Sequence, residues 1–249
     1  MTKWRMLQIT SMLHYNNNED HDGMQEDSLH KVRPLLEIVK RTISRYATPG
    51  SEFSFDEATM ACFSRYGRGL ISFNPKKPTG KFHFKIYMLC CALTNIVHKI
   101  RIHTKDGSEE IEGNLEDEED QYTKTDKLTL DMCRPLYGSG ATVNMDNYYM
   151  SMTTAIKLCQ NTVFCRGTIR PNRKLLPKSV LFTTKDVKQY PRGHSVRAVK
   201  CDNNLIALGW LDNKAVNFIS TSDTTKVVSV LRRVRNERLQ ISAPQTVAR

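Results

Sequence analysis

Apolar positions recur at three- and four-residue spacing in residues 3–13 (KWRMLQITSML) and 34–46 (PLLEIVKRTISRY), which predicts two helices with Pro34 in the first turn of the second. Between them NNNEDHDGMQED is polar and without period, the mark of a loop. From Ser51 the pattern changes: EFSFDEA, GLISF, FHFKIYMLCCAL and NIVHKIRIH are rich in aromatic and β-branched residues, are broken by Gly, Pro and Asn, and read as successive strands. KIYMLCCAL is apolar at nearly every position, which predicts a central strand covered on both faces and helices on both sides of the sheet. ATVNMDNYY reads as a strand leading directly into the helix SMTTAIKLCQ, with Ser151 as N-cap and Ile156 facing the sheet together with Ala155 or Cys159. TVFCRGTIR is a further strand that runs into the basic turn PNRKLLPK. SVRAVKCD, NLIALGWLD and AVNFIST form a small antiparallel set with turns at Asn203-Asn204 and Asp212-Asn213, and the last stretch, VVSVLRRVRNERLQISAP, is basic and shows no helix to close the fold.

Composition sharpens this picture in three places. With 249 residues and 39% hydrophobic content the chain can furnish a real core, enough for one large domain or one and a half ordinary ones. The net charge of +11 directs attention to polyanionic partners, nucleic acid first. That charge is uneven. Glu109, Glu110, Glu112, Glu116, Asp117, Glu118, Glu119 and Asp120 crowd eight acids into twelve positions, so the segment 105–127 reads as a disordered or loosely ordered insertion. From Phe164 onward 17 Lys and Arg face five acids, which makes the last third the expected electrostatic footprint for a phosphate backbone. The seven cysteines include no Cys-x-x-Cys pair and sit mostly inside apolar runs, which argues for core residues over a disulfide framework or zinc finger. No signal peptide or membrane-spanning stretch is legible, so a soluble protein in a reducing compartment is expected.

Two aspartates carry the candidate chemistry. Asp56 and Asp146 each end an apolar strand segment, 90 residues apart. Carboxylates brought together on adjacent strands repel unless a divalent cation sits between them, and Mg²⁺ prefers hard oxygen ligands of this kind. A strand-end aspartate is more often a turn former or helix cap, so spacing alone leaves both readings open.

The motifs around these residues decide further. FSFDEA (53–58) is similar to the signature in which an aspartate ends the first strand of the piggyBac-type transposase core. NPKKPTGKFHFKIYMLC (74–90) resembles that family's KP-x-K-x-G-x-K segment and second strand, and VNMDNYYMSMTTAIKL (143–158) resembles its segment bearing the second aspartate. CRGTIRPNRKLLPK (165–178) matches its GT-hydrophobic-R-x-NRK-x-x-P run almost residue for residue, and LQITSMLHYNNN with LHKVRPLLEIV looks like the helical stretch that precedes the core. The resemblance runs from about Trp4 to Pro244.

It implies an α/β fold, an RNase H-like mixed sheet flanked by helices: an N-terminal helical segment over 1–50, a catalytic core over 51–170, and a β-rich insertion with a basic C-terminal segment over 171–249. It implies Asp56 and Asp146 as two members of a three-aspartate site, with Mg²⁺ as cofactor and cut-and-paste phosphoryl transfer on DNA as the ancestral chemistry. Arg65, Arg68, Lys85, Arg170, Asn172, Arg173 and Lys174 are the DNA contacts it suggests. The stretch bearing the family's third aspartate has no counterpart before Arg249, so a C-terminally truncated, catalytically incomplete transposase-derived chain is expected; a domesticated DNA-binding module without catalysis is the alternative. The remaining expectations are DNA as partner, a homodimer, neither membrane nor small-molecule substrate, and nuclear placement inferred from the DNA substrate, with the cytoplasm as the alternative.

Overall fold

The structure, a computed structural model, describes residues 1–17, 19–20, 26–46, 48–64, 67, 69–77, 80–105, 122–200, 204–234 and 237–248. Arg65, Arg68 and the acidic run lie outside them. The chain divides into two units, the first comprising 1–48, 57–88 and 97–110 and the second 49–56, 89–96 and 111–249. Among the described residues no helix is long and apolar enough to cross a membrane.

In the first unit both expected helices form, α1 over Lys3–Ser11 and α2 over Arg33–Tyr46. Thr2 caps α1 by accepting from the Arg5 amide, yet α1 buries none of its residues. The start of α2 is fixed by Arg33, whose guanidinium donates to both Asp27 carboxylate oxygens at 2.7 Å. Strand β1 covers Glu52–Ala61, β2 Ile71–Phe73, β3 Phe82–Cys91 and β4 Val97–Ile102. The further half of β1, β2 and β3 are neighbours in the order β2-β3-β1, β4 pairs with β3, and α2 packs against β4. The expectation that KIYMLCCAL is covered on both faces is corrected. Burial along β3 alternates: Tyr87, Leu89 and Cys91 are buried while Ile86, Met88 and Cys90 are only partly covered, so one face is in the core and the other half-exposed.

The second unit is built on the first half of β1 with β5 (Thr142–Met145), β6 (Phe164–Thr168), β7 (Ser195–Lys200), β8 (Leu205–Leu211) and β9 (Ala215–Ser220), in the order β1-β5-β6-β9-β8-β7. β1, β5 and β6 are mutually parallel and the rest join antiparallel, a large mixed sheet. A parallel pair needs a crossover, and the helix Met152–Gln160 supplies it between β5 and β6. The set read as a small antiparallel group does not stand apart, because its third strand, β9, pairs with β6.

Ahead of the crossover helix comes α3, Lys124–Cys133, which makes the Met152–Gln160 helix α4; two short helices follow, α5 (Thr184–Gln189) and α6 (Gln245–Ala248). α3 begins inside the segment read as an insertion. Thr123 and Asp126 form a capping box, and LTLDMC then gives the helix an apolar side that buries Leu130, Met132 and Cys133. Ser151 caps α4 as expected, accepting from the Thr154 amide at 3.0 Å. Ile156 is only partly covered; Met152, Ala155 and Leu158 form the buried stripe, because Thr154 is drawn inward to the Asp126 carboxylate and sets the rotation of the helix.

The basic last stretch folds as a two-stranded ribbon, β10 (Val227–Val234) with β11 (Glu237–Pro244). One face of it packs on Ile206, Leu208 and Trp210 of β8, which is buried at every position. The six described cysteines carry free thiols, and Cys91, Cys133 and Cys165 are in the core.

Candidate functional site

In the parallel pair of β1 and β5, Ser54 faces Asn144 and Phe55 faces Met145. Asp56 and Asp146 are the next residues on the two strands. Phe55 and Met145 are buried and both aspartates are exposed, as strand alternation requires. Asp146 ends β5 as expected, but Asp56 does not end its strand: β1 continues to Ala61 because its further half pairs with β3, where the Cys62 amide donates to the Phe82 carbonyl. On the other side of Met145 lies Gly167 of β6. A Cβ at that glycine would stand 1.9 Å from the Met145 carbonyl oxygen, so only glycine allows β6 to approach the residue before Asp146.

Asp146 opens a tight loop into α4. Its carboxylate accepts from the Tyr148 amide at 2.7 Å, and its carbonyl accepts from the Met150 amide at 3.1 Å. Tyr149 is fully buried with its ring 4.5 Å from that of Phe55, which pins the loop to the core. Asn147 and Tyr148 are held from the basic turn. Arg170 donates to the Asn147 side chain at 3.0 Å and lies over the Tyr148 ring, and Arg173 donates to the Tyr148 carbonyl at 2.5 Å. Two residues suggested as phosphate contacts thus position the loop that carries the second aspartate. Asn172 and Lys174 are exposed beside them.

Sequence reasoning missed the group that locks these strands. Ser54, Asn144, Arg166 and Ser220 are register partners in succession across β1, β5, β6 and β9, one pleat before the aspartates. Arg166 is buried and donates to Asn144 at 2.6 Å, to Glu52 at 2.6 Å and to Asp223 at 3.3 Å, and the Ser220 hydroxyl donates to Asp223 at 2.7 Å. The signal was an arginine in the middle of the otherwise apolar strand TVFCRGT, a cation that a buried strand tolerates only with carboxylate partners.

Asp126 was missed as well, absorbed into the acidic run. It is buried between the starts of α3 and α4, and its carboxylate accepts from the Thr123 amide at 3.0 Å and the hydroxyls of Thr123, Ser151 and Thr154 at 2.6, 2.6 and 2.8 Å. Burial pushes its pKa up, but the hydrogen bonds from Ser151, Thr123 and Thr154 outweigh that and hold it below the ordinary carboxylate value. The sequence signal was the Thr-x-x-Asp spacing of 123–126. Asp126, Tyr122, Ser151 and Thr153 line one side of a cleft of about 360 Å³ whose other side is Arg170, Asn172, Arg173 and Lys174.

In the first unit, Lys85 pairs with Glu57 at 3.8 Å and lies over the Tyr87 ring. Among the described residues no group of three or more His, Cys, Asp or Glu side chains is placed to hold a metal ion.

Two comparisons bear on this arrangement. The family model described as Transposase IS4 matches residues 1–248. A cryo-EM structure of a piggyBac transposase synaptic complex with hairpin DNA is similar over 91% of this chain, with a TM-score of 0.73 and 18% sequence identity. The chain spans 45% of that protein's chain. The likeness gives the fold, an RNase H-like mixed sheet flanked by helices.

Proposed function

The chain belongs to the piggyBac-type transposases, and from that premise we propose that it binds duplex DNA through its basic last third and presents Asp56 and Asp146 as a divalent-metal site of the phosphoryl-transfer type. The observation that carries this reading is the β1–β5 register, which makes the two aspartates successive, exposed neighbours of the buried pair Phe55 and Met145.

The residues suit Mg²⁺. The ion needs hard oxygen ligands and accepts one or two carboxylates with water completing its shell. Bound there, it would lower the barrier by neutralising charge on the phosphoryl oxygens. The chain's own contributions are the support of the acids: Arg166 clamps β1, β5, β6 and Asp223, Gly167 lets β6 close on Met145, and Arg170 with Arg173 hold the loop after Asp146.

The test follows thermal unfolding in millimolar Mg²⁺ or Mn²⁺. The expected result is a rise in Tm that disappears in Asp56→Asn and in Asp146→Asn. A rise retained in both variants places the metal elsewhere and ends the reading. Metal-dependent nicking of duplex DNA that vanishes in Asp56→Ala would favour the phosphoryl-transfer reading over binding alone.

A second reading, a DNA-binding module without catalysis, is favoured by the way Arg170 and Arg173 serve structure while Asn172 and Lys174 stand exposed. It predicts salt-sensitive duplex binding with no response to divalent metal. Nuclear placement is proposed from the DNA partner alone; imaging a fluorescent fusion tests it.

A further inference from the structure

Tyr148 is coupled to both aspartates. Its amide donates to the Asp146 carboxylate at 2.7 Å and its carbonyl accepts from Arg173, so its backbone is tied to the acid and to the basic turn alike. Its ring meets that of Tyr149 edge-on, with centroids 5.0 Å apart and planes at 83°. Tyr149 is fully buried and packs on Phe55, the residue before Asp56. The Arg170 guanidinium lies 5.5 Å from the centre of the Tyr148 ring while its Nε donates to Asn147. Tyr148 is nonetheless 41% exposed. An aromatic ring is thus displayed at the surface from a backbone and a neighbouring ring that are both held beside the residues bearing the two acids.

We propose that the Tyr148 ring is the platform on which an unpaired base of a DNA strand stacks when a phosphate of that strand is held at Asp56 and Asp146. The proposal rests on the DNA-binding and metal-site reading above and adds that the strand is locally unpaired there. Anchoring the loop does not call for a ring at the surface, because Tyr149 does that by burial. In a paired duplex each base has its faces covered by its neighbours in the stack, so a surface ring gains a stacking partner only from a base that has left its pair. Every base offers a π-face, so such a contact holds a strand without selecting its sequence. A nucleotide carries base and phosphate on one sugar, and the loop presents a ring and the proposed metal ligand for the phosphate tied together by the Tyr148 amide. Arg170 adds to the platform: its guanidinium brings a cation to the same ring, and such planes stack on bases as well.

The experiment measures binding of the full chain, in millimolar Mg²⁺, to two duplexes with unpaired ends by fluorescence anisotropy. In one the overhangs are thymines; in the other abasic sugars replace them, which removes the bases and leaves the phosphate charge unchanged. The expected result is binding about 10-fold weaker to the abasic duplex. Tyr148→Phe should keep that difference. Tyr148→Leu, which retains an apolar side chain against Tyr149, should abolish it by weakening binding to the thymine duplex alone. Equal wild-type affinity for the two duplexes, with a normal salt slope, would overturn the platform and leave the DNA-binding function standing. A uniform loss on both duplexes in Tyr148→Leu would give the ring a structural role only and overturn the proposal too. Retention of the full difference in that variant does the same, since the bases then stack elsewhere. Absence of salt-dependent binding to either duplex removes the platform together with the reading beneath it.

Discussion

Met145 of β5 and Gly167 of β6 are register partners so close that a Cβ on the glycine would meet the Met145 carbonyl oxygen at 1.9 Å. The residue after Met145 is Asp146, so the spacing of the two strands fixes where the second acid leaves the sheet. Gly167→Ala is therefore expected to cost about 3 kcal/mol, seen as a lower urea midpoint, and to abolish any metal-induced rise in Tm. A variant within about 0.5 kcal/mol of the parent would show that the strands are not registered in this way.

Asp126 ties the starts of α3 and α4 together. Removing the carboxylate leaves three hydroxyls and an amide without their acceptor, so Asp126→Ala should destabilise the chain by about 3 kcal/mol in denaturant melts. The folded carboxyl titrates below its unfolded value, which sets the sign of the pH dependence. Its stabilisation is fully present above the unfolded value, near pH ~4, and is lost as pH falls through the folded value. Asp126→Asn should flatten the acid limb of a stability profile below about pH 4, and an unchanged limb would remove Asp126 from the account.

Arg166 supplies a third prediction. Its partner Asp223 has a fully buried side chain, so Arg166→Met strands a charge and should cost about 3–5 kcal/mol. Adding Asp223→Leu should recover a large part of that loss. A double-mutant cycle on urea midpoints checks the coupling, and additive losses would show that the pair does not act as a unit.

The basic turn separates two roles that charge alone confuses. Arg170→Lys keeps the charge but loses the planar fork, so amide exchange at 147–150 should accelerate while the salt slope of DNA binding stays unchanged. Lys174→Ala should do the reverse, lowering the salt slope by about one without loosening the loop. If both variants shift the slope alike, Arg170 contacts phosphate directly.

What the sequence determined by itself was local and periodic. The helices at 3–13 and 34–46, the run of strands, the Ser151 cap and the strand-to-loop position of Asp146 all follow from apolar spacing and capping chemistry, which act within a few residues. The collinear motifs also placed the chain among the piggyBac-type transposases. Tertiary structure decided whatever depends on partners distant in sequence. Arg166 meets Glu52 across 114 residues, and Asp126 became a joint between two helices only once Ser151 and Thr154 reached it. The same folding gave Arg170 and Arg173 a role as supports for the Asp146 loop, and left Ile156, expected to face the sheet, only partly covered. The reason is physical: a side chain's spacing fixes which face of its own element it occupies, while the group it meets is set by register and packing between elements.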